Sequence, residues 1–252
     1  MIYISYILLT LVILFFIYLE WQKSVVFHPK FFRDNSLYDE RFKFLTIKTK
    51  DNVTLEGCVY TPKEFKKSLL YFGGRGQDSV GLLPKLAEIY GNVQIFTFNY
   101  RGYGKSEAKP TEEKLYSDAL EVYDKVIKNY GNVSLLGYSL GSSIASYLSS
   151  KREIDKLFLI GAFTSMEELI KDTYRFRLPF LKYSFFTCKY LKVNNQETYI
   201  FLSKDDKTVL FKNSKKLKNC PKNLKKFMVL EGLNHVEILY CFEVINEIKT
   251  NL

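Results

Sequence analysis

The stretch Val133-Ser134-Leu135-Leu136-Gly137-Tyr138-Ser139-Leu140-Gly141-Ser142-Ser143-Ile144-Ala145 passes from a short apolar run into a cluster of small residues. Residues 133–136 read as a buried strand, and the small-residue run from Gly141 reads as a helix start. Between them lies a G-x-S-x-G element, with a strand before it and a helix after it. A turn that sharp strains the backbone at the serine and brings its flanks too close for side chains. That accounts for Gly137 and Gly141, with small Ser142, Ser143 and Ala145 behind them. The serine hydroxyl is then held at the C-terminal edge of a sheet, above a helix N-terminus whose dipole favours developing negative charge. The bland alternative is a glycine-rich helix start with no chemistry.

On either side the chain alternates strand-like and helix-like stretches. Residues 44–48 and 53–60 are short and β-rich and flank the turn signal Lys50-Asp51-Asn52, so they predict a hairpin. Residues 68–72 and 93–98 suit buried parallel strands, and Leu82, Leu83, Leu86, Ala87 and Tyr90 recur between them at helical spacing. Thr111 caps a helix with Glu112 and Glu113 in its first turn and Leu115, Ala119, Val122 and Val126 as its buried stripe. Further strands are expected at 157–160, 199–202 and 227–230, then a final helix through Val236, Leu239, Phe242 and Ile245. There is no internal repeat and no low-complexity linker. This order predicts a three-layer α/β domain with a mostly parallel sheet, starting near residue 40.

A nucleophilic serine needs a base and an orienting acid, and this fold class supplies them in the order Ser, Asp or Glu, His. His235, in Gly232-Leu233-Asn234-His235, follows the last strand and is the only histidine beyond Ser139. For the acid, Asp205 and Asp206 share the loop after residues 199–202, and spacing prefers Asp206. The oxyanion should meet two backbone N–H groups, one from the residue after the nucleophile and one from the loop after an early strand. The first is Leu140. The second lies in Phe72-Gly73-Gly74-Arg75-Gly76, with Arg75 preferred and Gly74 possible. No GK[ST] follows these glycines, so they are not a phosphate cradle.

Composition narrows the classes further. With 252 residues, 47% of them hydrophobic and 25% charged, the chain is no disordered polymer and can bury a core without a metal. Two histidines exclude a multi-histidine metal site. Cys58, Cys188, Cys220 and Cys241 are widely spaced without a CxxC pair, so no zinc ribbon is expected and the redox compartment stays open. The net charge of +10 owes much to lysines within 204–226, which carry no nucleic-acid signature and read as a solvated face.

Residues 2–19 (IYISYILLTLVILFFIYL) carry no charge. As a helix they span about 27 Å, close to the hydrocarbon thickness of a bilayer. No Lys or Arg precedes the run, and Glu20, Trp21, Gln22 and Lys23 follow it in place of a small-residue cleavage site. We read residues 1–22 as a single-pass membrane anchor, 23–39 as a juxtamembrane linker and 40–252 as the globular domain. Lys23, Lys30 and Arg33 on the C-terminal flank favour a cytoplasmic globular part.

The motifs together resemble the membrane-anchored α/β-hydrolases akin to eukaryotic protein-depalmitoylating serine hydrolases, grouped with the serine aminopeptidase-like hydrolases. The resemblance covers residues 24–250. It is carried by Asn99-Tyr100-Arg101-Gly102-Tyr103-Gly104-Lys105-Ser106, Pro110-Thr111-Glu112-Glu113, Tyr116-Ser117-Asp118-Ala119, Phe27-His28-Pro29, Thr49-Lys50-Asp51 and Phe163-Thr164-Ser165. It implies an eight-stranded, mostly parallel sheet with helices on both faces and a short cap insertion at 163–197. It also implies the triad Ser139, Asp206 and His235, oxyanion positions Arg75 and Leu140, and a non-catalytic His28. Arg75 stands in place of the usual asparagine, Gly73 in place of a frequent histidine, and Leu210 where a proline often follows the acid loop. In the Arg101–Ser106 loop the residues themselves suggest a structural tie, with Arg101 joining loops by hydrogen bonds. The cap aromatics, Phe180 and Phe185 among them, read either as packing on the sheet or as an acyl channel with a basic rim facing lipid.

The expected activity is cleavage of an ester or thioester of a lipid or other acylated substrate, with no metal or organic cofactor, no nucleic-acid partner, and the membrane as partner. The alternatives are a peptidase or amidase on the same triad, and a silent anchored scaffold.

Overall fold

The computed structural model of the chain describes residues 2–126, 130–131 and 133–252. Eight strands form one sheet: β1 (Phe42–Lys48), β2 (Thr54–Tyr60), β3 (Ser68–Phe72), β4 (Gln94–Phe98), β5 (Val133–Tyr138), β6 (Lys156–Ile160), β7 (Glu197–Ser203) and β8 (Leu224–Leu230). Their spatial order is β1-β2-β4-β3-β5-β6-β7-β8. β2 runs antiparallel to both β1 and β4, and every other neighbouring pair is parallel. The predicted hairpin is present, with Lys48 opposite Thr54 across the turn.

Alternation along the central strands divides the core between two faces. Leu70, Phe72 and Leu135 point to a cluster shared with α3 (Glu112–Lys125) and α4 (Leu140–Ser149). Leu69, Tyr71 and Leu136 point to a second cluster with α2 (Ser79–Tyr90) and α8 (Phe242–Asn251). Pro84 inside α2 has no N–H for the Val80 carbonyl, and the Tyr38 hydroxyl donates to that oxygen at 2.7 Å. Thr111 caps α3 as expected, its hydroxyl accepting from the Lys114 N–H. Arg101 ties loops as the sequence suggested, with its guanidinium bridging Asp51 at 2.8 Å and Asp118 at 2.6 Å.

Two expectations need correction. The last helix does not begin at His235. A short 3-10 turn at Glu237–Tyr240 comes first and α8 starts at Phe242, which is 76% exposed; the buried stripe is Val244 and Ile248. The stretch expected as a linker is built into the domain. α1 runs Ile2–Val26, Val26 and Phe27 enter the core, and Arg33 is buried against Glu56 at 2.5 Å and Asp78 at 3.3 Å. The cysteine pairing, left open by the sequence, is partly resolved: Cys188 in α6 (Thr187–Leu191) is disulfide-bonded to Cys220, before β8. Spacing 32 residues apart gave no sign of that pair. Cys58 and Cys241 are buried free thiols whose pKa burial pushes up, to about 12 for Cys58.

α1 is long and apolar enough to cross a membrane. Its apolar side chains from Tyr3 through Ile17 remain exposed.

The Arg33 pairing generates a stability prediction. Burial pushes the Glu56 carboxyl up, but the Arg33 guanidinium together with the Lys105 N–H and Asn99 amide outweighs it and holds the group below its ordinary 4.5. A depressed acid contributes stability that is complete above 4.5 and is lost as pH falls through the lower folded value. Arg33→Ala strands two buried carboxylates, so it should cost about 3–5 kcal/mol at pH 7. Urea unfolding of the detergent-solubilised chain should show that gap narrowing as the pH is lowered toward 4, where Glu56 of the variant takes up a proton.

Candidate active site

β5 ends at Tyr138 and α4 begins at Leu140, leaving Ser139 as the single residue of the turn. Its φ of +53° lies in the left-handed region that side chains avoid, and the Ser139 N–H is fixed to the Ile160 carbonyl at 2.9 Å. A Cβ on Gly141 would lie 2.0 Å from the Phe72 carbonyl oxygen, and one on Gly137 would lie 2.6 Å from the Gly141 carbonyl oxygen. Close approach of β5, α4 and β3 therefore demands both glycines, as the sequence pattern implied.

The loops after β7 and β8 bring Asp206 and His235 to the same edge. His235 Nε2 lies 2.9 Å from Ser139 Oγ, and His235 Nδ1 lies 2.6 Å from Asp206 Oδ2. The other Asp206 oxygen accepts the Thr208 and Val209 N–H groups, each at 2.8 Å, so the carboxylate cannot rotate away. A carboxylate only accepts, so Nδ1 carries the imidazole proton and Nε2 is left to take the one on Ser139. Asp205 is elsewhere: it accepts from the Gly232 N–H at 2.6 Å and does not touch the imidazole.

Two groups not anticipated from the sequence also position His235. The Tyr138 hydroxyl donates to the His235 carbonyl at 2.9 Å, and burial followed by the Asp206 charge raises its pKa, so it stays a neutral donor. Gly161, after β6, has φ +58°, and a Cβ there would sit 2.9 Å from His235 Cε1. An isolated glycine after a strand carries no signal of what it faces.

Leu140 opens α4, so its N–H has no carbonyl one turn back to meet. In the loop after β3 the Gly74 N–H is engaged by Gln77 Oε1 at 2.7 Å, which disfavours it as an oxyanion donor. The Arg75 carbonyl, in the peptide after its N–H, accepts the His28 N–H at 3.1 Å and the Tyr103 hydroxyl at 2.7 Å. His28 serves here through its backbone, away from the Ser139 pair. The Arg75 guanidinium donates to the Val25 carbonyl at the end of α1, at 2.8 Å.

A cavity of about 220 Å3 adjoins Ser139, Leu140 and Arg75. Its apolar wall comes from α5 (Met166–Tyr174), through Met166, Leu169, Ile170 and Tyr174, and from Val25; Lys207 lies on its lining as well. Phe180 and Phe185 do not line it, which corrects the acyl-channel assignment. Phe180 is 77% exposed and meets Phe15 of α1, while Phe185 is fully buried against Phe27 and Tyr116. Their interleaving with basic residues marked an amphipathic segment, and the side that faces the serine is the α5 helix before it. Among the described residues no cluster of His, Cys, Asp or Glu could hold a metal.

A protein family described as the alpha/beta hydrolase fold matches residues 68–186. The chain has the α/β-hydrolase fold. Protein bem46 of Schizosaccharomyces pombe is 30% identical over 183 residues, 66% of this chain and 61% of that protein, so the chain spans under two thirds of that relative's length. The lysophosphatidylserine lipase ABHD12 of Danio rerio is 34% identical over 124 residues, 44% of this chain and 32% of that protein. An esterase from Pyrococcus furiosus superposes with a TM-score of 0.67 over 90% of this chain and 97% of that one, at 19% identity, which is a likeness of fold.

Gly161→Ala tests the positioning of the imidazole. A displacement of His235 by a fraction of an ångström to an ångström should lower the rate at which a fluorophosphonate labels Ser139 by up to about 100-fold, with far-UV circular dichroism unchanged.

Proposed function

We propose that this protein is a membrane-anchored serine hydrolase that cleaves carboxylic ester or thioester bonds through an acyl-enzyme. The observation that carries the reading is the hydrogen-bonded line from Ser139 Oγ through His235 to Asp206, beside a cavity with an apolar wall. Ser139 Oγ attacks the acyl carbonyl while His235 Nε2 takes its proton, and the Leu140 and Arg75 amides receive the oxyanion. The imidazolium then returns the proton to the departing alcohol or thiol, and water repeats the sequence on the acyl-serine. Asp206 keeps the proton on Nδ1 and stabilises the imidazolium. The lipase and esterase names of the relatives and the hydrocarbon lining from α5 support an acyl ester over a peptide.

The test is activity-based labelling. The wild-type chain should react with a fluorophosphonate and Ser139→Ala should not; Asp206→Asn should lower turnover of a short ester by about 10⁴-fold. Asp205→Asn should cost far less, because Asp205 supports only the Gly232 backbone. A wild-type chain that takes no label would leave the anchored scaffold as the reading.

For the side of the membrane, the folded domain favours the opposite of what the flanking charges suggest. Disulfides form and persist in oxidising compartments, which supports placing the domain with its Cys188–Cys220 bridge on the lumenal or external side. Arg33, one of the three flanking cations, is consumed within the domain by Glu56 and Asp78. Asn52-Val53-Thr54 is moreover an N-glycosylation acceptor sequence at an exposed hairpin turn. In a eukaryotic host the chain should show an endoglycosidase-sensitive shift that Asn52→Gln reduces, Asn132-Val133-Ser134 being a second acceptor sequence, and two of its cysteines should resist alkylation until reduced. An unshifted chain whose cysteines all alkylate without reductant would return the domain to the cytosol.

A further inference from the structure

We infer that the cap loop between α5 and α6 is a second membrane-inserted element, lying in the leaflet beside α1, and that the cavity at Ser139 takes its acyl substrate sideways from that leaflet. The inference rests on the anchored-hydrolase reading and adds to it where the bilayer lies and how substrate arrives.

The loop is bound to the anchor rather than hanging near it. Gln22, fully buried, donates through Nε2 to the Phe180 carbonyl at 3.3 Å and accepts the Lys182 N–H on Oε1 at 3.0 Å. One turn earlier the Tyr18 hydroxyl donates to the Pro179 carbonyl at 2.7 Å, and Phe15 meets the Phe180 ring at 6.2 Å. Positions 15, 18 and 22 share one face of a helix, so the loop runs along α1 for two turns.

That contact fixes a depth. Trp21 and Lys23 are interfacial residue types, and Phe15 lies six residues before Trp21, about 9 Å along the helix toward the hydrocarbon. Phe180 at that level is 77% exposed, and Phe176 is 54% exposed. Left in water, each such ring forgoes the transfer free energy of its exposed apolar area. Phe180 also holds φ +52°, a strained backbone that keeps its ring outward against the anchor. The segment Tyr174-Arg175-Phe176-Arg177-Leu178-Pro179-Phe180-Leu181-Lys182-Tyr183 contains three cations and no acid, a composition suited to lipid phosphates above buried rings. Arg177 reaches Glu167 at 3.4 Å while remaining largely exposed.

The same seam leads to the nucleophile. Tyr174 contacts Trp21 at 6.3 Å and also lines the cavity, as does Val25 at the end of α1. A chain drawn from the leaflet between α1 and α5 therefore reaches Ser139 along apolar surface, without crossing water.

The experiment uses the full chain in phosphatidylcholine vesicles. Trp21 is the chain's one tryptophan, so Trp21→Phe gives a silent background for Phe180→Trp, Phe176→Trp and, as an exposed control away from the loop, Leu37→Trp. With lipids brominated in their acyl chains, emission from positions 180 and 176 should be blue-shifted and should fall severalfold, and that from position 37 should not. Unquenched emission at 180 and 176 overturns the insertion, whether red-shifted as in water or blue-shifted as in a contact with another protein. This readout does not involve Ser139, so it stands or falls apart from the hydrolase reading. In the kinetic arm, Phe176→Ser with Phe180→Ser should lower kcat/KM severalfold for a long-chain ester embedded in vesicles and leave a soluble acetyl ester unchanged. An equal loss on both esters, or on neither, overturns entry from the leaflet; a wild-type chain that cleaves no ester overturns the hydrolase reading instead.

Discussion

The site depends on one steric constraint, the near-contact of α4 with the end of β3. Gly141 packs so closely on the Phe72 carbonyl that any side chain there would overlap it. That approach pulls the first turn of α4 under the sheet edge and leaves one residue, Ser139, to change the chain direction. The strain at its positive φ is offset by β5 being the strand between β3 and β6, hydrogen-bonded along both edges and fully buried. The fold therefore supplies rigidity where the chemistry needs a fixed oxygen. Asp206 and His235 come from the loops after β7 and β8, which need only reach a point already set.

The anchor is coupled to this frame. Val26 and Phe27 sit in the sheet's core, and Arg33 lies between Glu56 and Asp78, which in turn bind Asn99 at 3.0 and 2.7 Å. Asn99 holds the N-terminus of α2 through the Ser79 N–H, at 2.8 Å. A chain of charge-assisted hydrogen bonds thus runs from the residues after α1 to the base of α2, and the segment after α1 cannot rock without disturbing buried charges.

How much of this was legible in the sequence follows from how local each signal is. The turn at Ser139 is encoded by neighbours, glycine, serine and glycine between an apolar run and small residues, so it could be placed from about ten residues. His235 followed by elimination, since only two histidines exist. Asp206 over Asp205 rested on spacing, and the separate roles of the two arise from which backbone N–H groups the loop offers each carboxylate, a matter of three-dimensional folding. The Cys188–Cys220 pair, Gly161 facing His235 and Tyr138 reaching the His235 carbonyl are contacts between distant segments and leave no periodic trace. The cap aromatics were misassigned for a related reason. Phe180 and Phe185 have the same composition around them, yet one faces outward onto the anchor and the other enters the core, because positive φ values at both residues turn the loop twice.

Arg75 shows how the two halves of the molecule meet. An oxyanion donor acts through its amide, so the side chain is free to serve elsewhere, and where the resembling family carries asparagine this chain carries a longer cation. Its guanidinium caps the carbonyl end of α1 at Val25, the end where a helix dipole attracts positive charge. Its own carbonyl is fixed by His28, two residues after the anchor, and by Tyr103, whose hydroxyl burial keeps protonated. One residue is thereby clamped, through its side chain and its carbonyl, between the last turn of α1, the segment that follows it and the Arg101–Ser106 loop. The residue proposed to supply an oxyanion amide is thus tied to the N-terminal apolar helix, so the seating of that helix on the domain and the geometry around Ser139 share the same few hydrogen bonds.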